Sequence, residues 1–217
     1  MRYPRYALSV VVASVLSAHV ASAQARPTGL DSATAAAIAP IIERARASNL
    51  PVDLLYAKAR EGQVRRVPVA TIESAVRTLA DRIQAANEAL SPNATVSELQ
   101  AAAGALQQGV PPETLRHMRQ EGKSTSLAVP IGVLTQLIAR GVPVEKASVQ
   151  IVDLVRRGAQ SEHFIALDSR VREDVRLGKR PDESLDLRLK GIIPNLPQQA
   201  TADGFAIQAN SPNKKRP

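Results

Sequence analysis

The sequence has no cysteine, no tryptophan, two phenylalanines and three tyrosines among 217 residues. Without cysteine there is no disulfide framework, no thiolate zinc site and no thiol nucleophile. So few rings leave no stacking platform for single-stranded nucleic acid. No run of alternating β-branched or aromatic residues asks for a sheet. The glycines are dispersed, so no G-x-x-x-x-G-K-[ST] phosphate loop is formed. The residue types of a Ser-His-Asp arrangement are present, but no nucleophile-elbow pattern is. What is plentiful is aliphatic: 44% of the chain is hydrophobic, too much for a chain disordered throughout. Ala and Leu are strong helix formers, and the expectation is an all-α fold without β-sheet.

The first 23 residues read as a secretory signal peptide. Arg2 and Arg5 make a positive start, Ala7 to Val20 is an uncharged, largely apolar block, and Ala21-Ser22-Ala23 is a small-x-small cleavage site. The block falls short of the roughly 20 residues that span a bilayer. The two arginines are not adjacent, and no cysteine follows for a lipid anchor. Cleavage after Ala23 is expected, giving a periplasmic or secreted chain. Ser124 to Ala139 is uncharged but broken by Pro130 and Gly132, so no transmembrane segment is expected after cleavage.

Beyond a leader at 24–30, residues 31–191 carry nearly all the periodic signal, and 192–217 read as a flexible basic tail ending in Lys214-Lys215-Arg216. Within the periodic part, helical stretches stop at Gly or Asn and restart at Pro: Asn49-Leu50-Pro51, Gly109-Val110-Pro111, Gly141-Val142-Pro143 and, with one extra residue, Gly178 to Pro181. Glycine tolerates the left-handed backbone that ends a helix, and proline suits the first helical position. An acid follows each of these prolines by two: Asp53, Glu113, Glu145 and Glu183. There it meets the positive end of the next helix. Glu61-Gly62 and Glu121-Gly122 close two units alike, so Gly62 and Gly122 read as turn residues too. The prolines at 111 and 143 are 32 apart, those at 51 and 111 are 60 apart. The pattern is an irregular array or bundle of short helical hairpins joined by Gly-x-Pro turns.

The inserted length is one long helix starting at Pro68. Val69, Ile72, Val76, Leu79, Ile83, Ala86 and Leu90 alternate spacings of three and four, an apolar seam on one face. Thr95 to Glu98 is a capping box for the following helix. Ser161 is the expected N-cap of the helix that carries Phe164, Leu167, Val171 and Val175.

The stretch Leu50-Pro51-x-x-x-Leu55-x-x-Lys58-x-x-Glu61-Gly62, followed by Val67-Pro68 and Ile72-x-x-Ala75-Val76, resembles a pattern of uncharacterised exported helical proteins of bacteria. It covers about residues 36 to 90. The resemblance implies export and helical structure, and it implies no activity and no catalytic residue.

Candidate chemistry is sparse. His117 and Glu121 share a helical face at i,i+4, a spacing that presents two metal ligands, but no third is evident. No metal and no cofactor are therefore expected. His163 follows Glu162 in a first turn and reads as a surface residue. Paired carboxylates could serve glycan hydrolysis, yet most acids here stand at helix starts or near basic partners. Lys58, Arg60, Arg65 and Arg66 cluster around one turn, and Arg172 and Arg176 belong to a second cluster. These are the candidate binding residues, for an acidic partner face or an anionic envelope polymer. The formal charge of +8 mostly belongs to the chain ends: residues 30–191 hold 22 basic and 19 acidic residues, a surplus of three. The expected function is a non-enzymatic interaction or scaffold protein of the bacterial cell envelope that does not bind nucleic acid. The alternatives are a carboxylate-dependent envelope hydrolase or lyase and an electrostatic binder of anionic envelope polymers.

Overall fold

The computed structural model describes residues 29–122 and 126–196. The expected signal peptide, and most of the leader and tail, lie outside the described residues. Among those described there is no strand. The order is α1 (Ser32–Ala47), α2 (Val52–Val64), α3 (Val69–Leu90), α4 (Val96–Gln107), α5 (Pro112–Glu121), α6 (Ala128–Ala139), α7 (Val144–Arg156), α8 (Ser161–Arg176) and α9 (Pro181–Ile192), closed by a 3-10 turn, Ile193–Asn195. The all-α expectation holds. Ile192 and Leu196, assigned above to the tail, are buried, so the folded part runs past Gly191. No described helix is long and apolar enough to cross a membrane.

One local device ends six of these helices. A residue in the left-handed region is followed by one whose N–H reaches back five residues. Leu50 N–H bonds Ala45 O, Val67 bonds Gly62, Val110 bonds Ala105, Val142 bonds Leu137, Ala159 bonds Leu154 and Lys179 bonds Asp174. This is the Schellman motif. Gly109 (φ 84°) and Gly141 (φ 100°) adopt the left-handed backbone without a Cβ penalty. Asn49 and Arg66 do so with side chains. The residue after the reversal is apolar in five of the six cases, and Leu50, Val110, Val142 and Ala159 are buried.

Three expectations are corrected here. Pro51, Pro111 and Pro143 are N-caps, one position before the first helical residue. The cap is extended and its carbonyl takes the first helical bond, as Pro143 O does from Ala147 N–H at 2.9 Å. Pro112 and Pro181 do stand at the first position. Ser161 is the first helical residue, and Gln160 caps α8. Gly62 is no turn residue: it lies inside α2, and Arg66 makes the reversal. A Cβ at Gly62 would fall 2.7 Å from Ile72 Cγ1, so this glycine lets α3 lie close against α2. Gly122 caps α5 at φ −93°, and a Cβ there would meet Leu127 at 2.8 Å.

The helices assemble in two layers. α1, α3, α5 and α7 lie side by side in one, and α4, α6 and α8 in the other. Sequence neighbours such as α3 and α4, and α6 and α7, bridge them, and α9 packs on α8. The long α3 is the hub, touching α1, α2, α4 and α5. Its seam explains this: Ile72, Val76, Ile83, Ala86 and Leu90 are buried, with Ala89, while Leu79 packs at the edge. Each large side chain so buried contributes roughly 1.5–3 kcal/mol. The core is aliphatic around one ring, Phe164, which is fully buried.

The Gly62 contact gives a test. Alanine in a helix interior gains about 1 kcal/mol over glycine, but overpacking costs about 1–3 kcal/mol. Gly62→Ala should therefore lower stability, by about 1 kcal/mol net. In an Ile72→Ala background the same change should become neutral or stabilising. Urea melts of the two single variants and the double variant measure this coupling.

Candidate functional site

Two buried carboxylates set the electrostatic frame. Glu98, at the start of α4, is 2% exposed. Its Oε2 accepts from Thr95 N–H (2.9 Å) and Thr95 Oγ1 (3.0 Å), which completes the expected capping box. Its Oε1 accepts from Leu127 N–H at 2.8 Å and lies 3.0 Å from Arg119 Nη2. Arg119 Nε in turn donates to Leu90 O at 3.1 Å. Burial pushes the Glu98 carboxyl up, but the N–H groups of Thr95 and Leu127, the Thr95 hydroxyl and Arg119 outweigh it and hold it below its ordinary value.

Asp174 does the same work between α8 and α9. Arg188 grips it with Nε and Nη2, both at 2.7 Å, Ser184 Oγ donates at 2.7 Å and Lys179 Nζ at 2.9 Å. The Arg188 fork, then Ser184 and Lys179, hold its carboxyl well below the usual carboxylate range. Arg140, at the end of α6, reaches Asp168 on α8 at 2.5 Å.

The residues expected to bind are dispersed. Lys58 and Arg65 both pair with Glu61 on their own helix. Arg60 lies beside Gly29 and Arg66 forms the turn. Arg176 pairs with Glu173, and Arg172 donates to Ser169. α2 packs on α1 and α3, whereas α8 packs on α6 and α9, so the two clusters do not make one patch. His117 and Glu121 are exposed on α5, and no group of three metal-ligating side chains occurs among the described residues. His163 is half-buried, and its Nδ1 accepts from Gln160 N–H at 3.0 Å. Every described carboxylate that is not solvent-exposed is held by a cation.

What the packing creates instead is a grooved face on the first layer. Val155 of α7 abuts the end of α5, 3.1 Å from where a Cβ on Gly122 would stand. Between α5 and α7 runs a groove of about 370 Å³, lined by Thr114 and His117 on one side and Ser148, Val149 and Asp153 on the other. Ser148 is buried, and its Oγ has no hydrogen-bond partner among the described residues. Val149 is 59% exposed. Burial raises the Asp153 carboxyl, but Arg157 and Arg156 outweigh that and lower it. Beyond α7, Lys146 donates to Asp182 O at 3.1 Å and pairs with Asp186, tying α7 to α9. A second groove of about 470 Å³ opens there, lined by Leu189, Lys190, Ile193 and Pro194. Gln150 lines both grooves. Sequence reasoning singled out His117 but none of the α7 residues. The one visible signal was Val149, an apolar residue on the otherwise polar side of its helix.

The buried acids give two expectations. Glu98→Gln puts an amide NH2 against an N–H donor and leaves Arg119 without its charge partner. It should cost about 3 kcal/mol, read as a shifted urea midpoint at unchanged slope. Asp174 is depressed in the folded state and titrates near its ordinary value of about 4 when unfolded. Its contribution is therefore complete above that pH and drains away as pH falls below it. Asp174→Asn should lower the melting temperature at neutral pH and flatten the loss of stability below about pH 4, as followed by thermal melts across that range. Among known proteins, no family model, no curated protein and no solved structure matches the chain.

Proposed function

We propose that this chain is an exported interaction or scaffold module of the bacterial cell envelope. One observation carries the reading: two layers of short helices leave one face grooved on both sides of α7, with an exposed valine and an unpartnered buried hydroxyl. Arrays of helical hairpins present such surfaces to partners. The charged groups elsewhere support it by being committed to structure. Glu98, Asp168 and Asp174 hold helices together, and most surface acids cap helices or pair within them. The Arg2, Arg5 and Ala21-Ser22-Ala23 pattern supports export.

Cross-linking of the tagged chain in its native host, with cell fractionation, tests the reading. The expected result is a mature chain beginning at Gln24 in the periplasmic or secreted fraction, recovered in a complex of defined mass. A chain that stays monomeric while the purified protein releases soluble fragments from peptidoglycan would sink it in favour of the hydrolase. Binding to anionic polymer that vanishes between low salt and about 0.15 M salt would favour the electrostatic alternative.

A further inference from the structure

We propose that the pocket between α1 and α3 binds a free α-amino acid with a short aliphatic side chain, its carboxylate on Arg44 and its ammonium on Asp81. This site is separate from the face beside α7 and goes beyond the module reading.

The pocket follows from local structure. Ile41, Arg44, Ala45 and Ser48 line it from one face of α1 and its cap, and Arg77, Asp81 and Gln84 from one face of α3. The Schellman reversal after α1 swings Leu50 back beneath that helix, its N–H bonded to Ala45 O at 2.9 Å. The space enclosed is about 100 Å³. Ile41, Ala45 and Leu50 are buried and give it an aliphatic floor. A dry cavity of about 150 Å³ takes benzene, so this smaller one suits a side chain of about three or four carbons.

Its walls carry charges of both signs that do not pair with each other. Arg77 stands one turn from Asp81, but it reaches the preceding turn and donates to Glu73 at 2.6 Å. Asp81 is left in the middle of α3, away from the first turn, where the helix dipole favours an acid. Its side chain has no hydrogen bond or ion pair among the described residues. Arg44, in the last turn of α1, has none either, because its neighbour Glu43 is taken by Arg46.

That arrangement selects the ligand. A simple anion drawn to Arg44 meets Asp81, and a simple cation drawn to Asp81 meets Arg44, so like charges oppose each. A zwitterion satisfies both walls. In a free α-amino acid the two charges and the side chain hang on one carbon, which lets one small molecule meet both walls and the floor. The guanidinium fork of Arg44 suits a carboxylate, and the Asp81 carboxylate accepts from an ammonium. An internal peptide residue carries neither terminal charge.

The test is isothermal titration calorimetry of the purified protein with valine. Saturable binding is expected. N-acetylvaline, which lacks the ammonium, and valinamide, which lacks the carboxylate, should each bind about tenfold more weakly, the loss of one charge-assisted contact. Asp81→Asn should weaken valine about tenfold and leave N-acetylvaline unchanged, and Arg44→Gln should weaken valine equally and leave valinamide unchanged. Both residues are exposed, so both variants should keep the wild-type circular dichroism spectrum. Absent saturation, equal binding of valine and its two blocked forms, or undiminished valine binding by either variant would overturn the proposal. So would a variant that weakens free and blocked ligands alike. The cross-linked complex of the preceding experiment does not depend on these residues, so the pocket assignment and the module reading fail separately.

Discussion

One buried carboxylate, Glu98, closes the two joints that the turn chemistry leaves open. Every described helix that leads to another ends in a Schellman reversal except α3, whose cap Ser91 is extended, and α5, whose cap Gly122 is not left-handed. Glu98 and Arg119 serve both gaps. Arg119 satisfies the carbonyl of Leu90 at the end of α3. Glu98 takes the N–H of Leu127 at the entry to α6, while completing its own helix cap. Four helices thus meet at one ion pair. A charge this deep is costly unless it is hydrogen-bonded and paired; here Thr95 and Leu127 donate to it and Arg119 supplies the opposite charge.

Much of this architecture was legible because it is local. A Gly, an apolar residue and a Pro in succession encode a reversal and a restart with no help from the rest of the chain. The seam of α3 could be read because its burial follows a single helical period. The capping box could be read because Thr95 and Glu98 are three residues apart. What stayed hidden depends on distance in sequence. Arg66 in a left-handed turn carries no compositional mark, and Gly62 looked like the end of a helix until Ile72 was seen against it. Arg188 lies fourteen residues from Asp174 and belongs to another helix. The α5–α7 groove exists only because helices two apart in the chain lie side by side, and no spacing within either helix announces that.

The charges tell a similar story. Read as a list, the arginines of α2 and α8 form basic clusters. In the fold several are bound to acids one turn away, as Arg65 is to Glu61 and Arg176 to Glu173. Exposed pairs of this kind are worth at most about 1 kcal/mol each. Stability has to come from aliphatic packing, and the ion pairs that matter structurally are the few that join different helices.

The layering itself has a kinetic consequence. Each helix, α3 included, touches mainly those one or two places away in the chain. Ordering therefore closes short loops, and proteins with such local topology fold in microseconds to milliseconds. The same near-neighbour wiring means that opening starts at the ends, at α1 and at α9, and advances one helix at a time. The Glu98 joint sits between them, where four helices share one ion pair and α4 packs on α6.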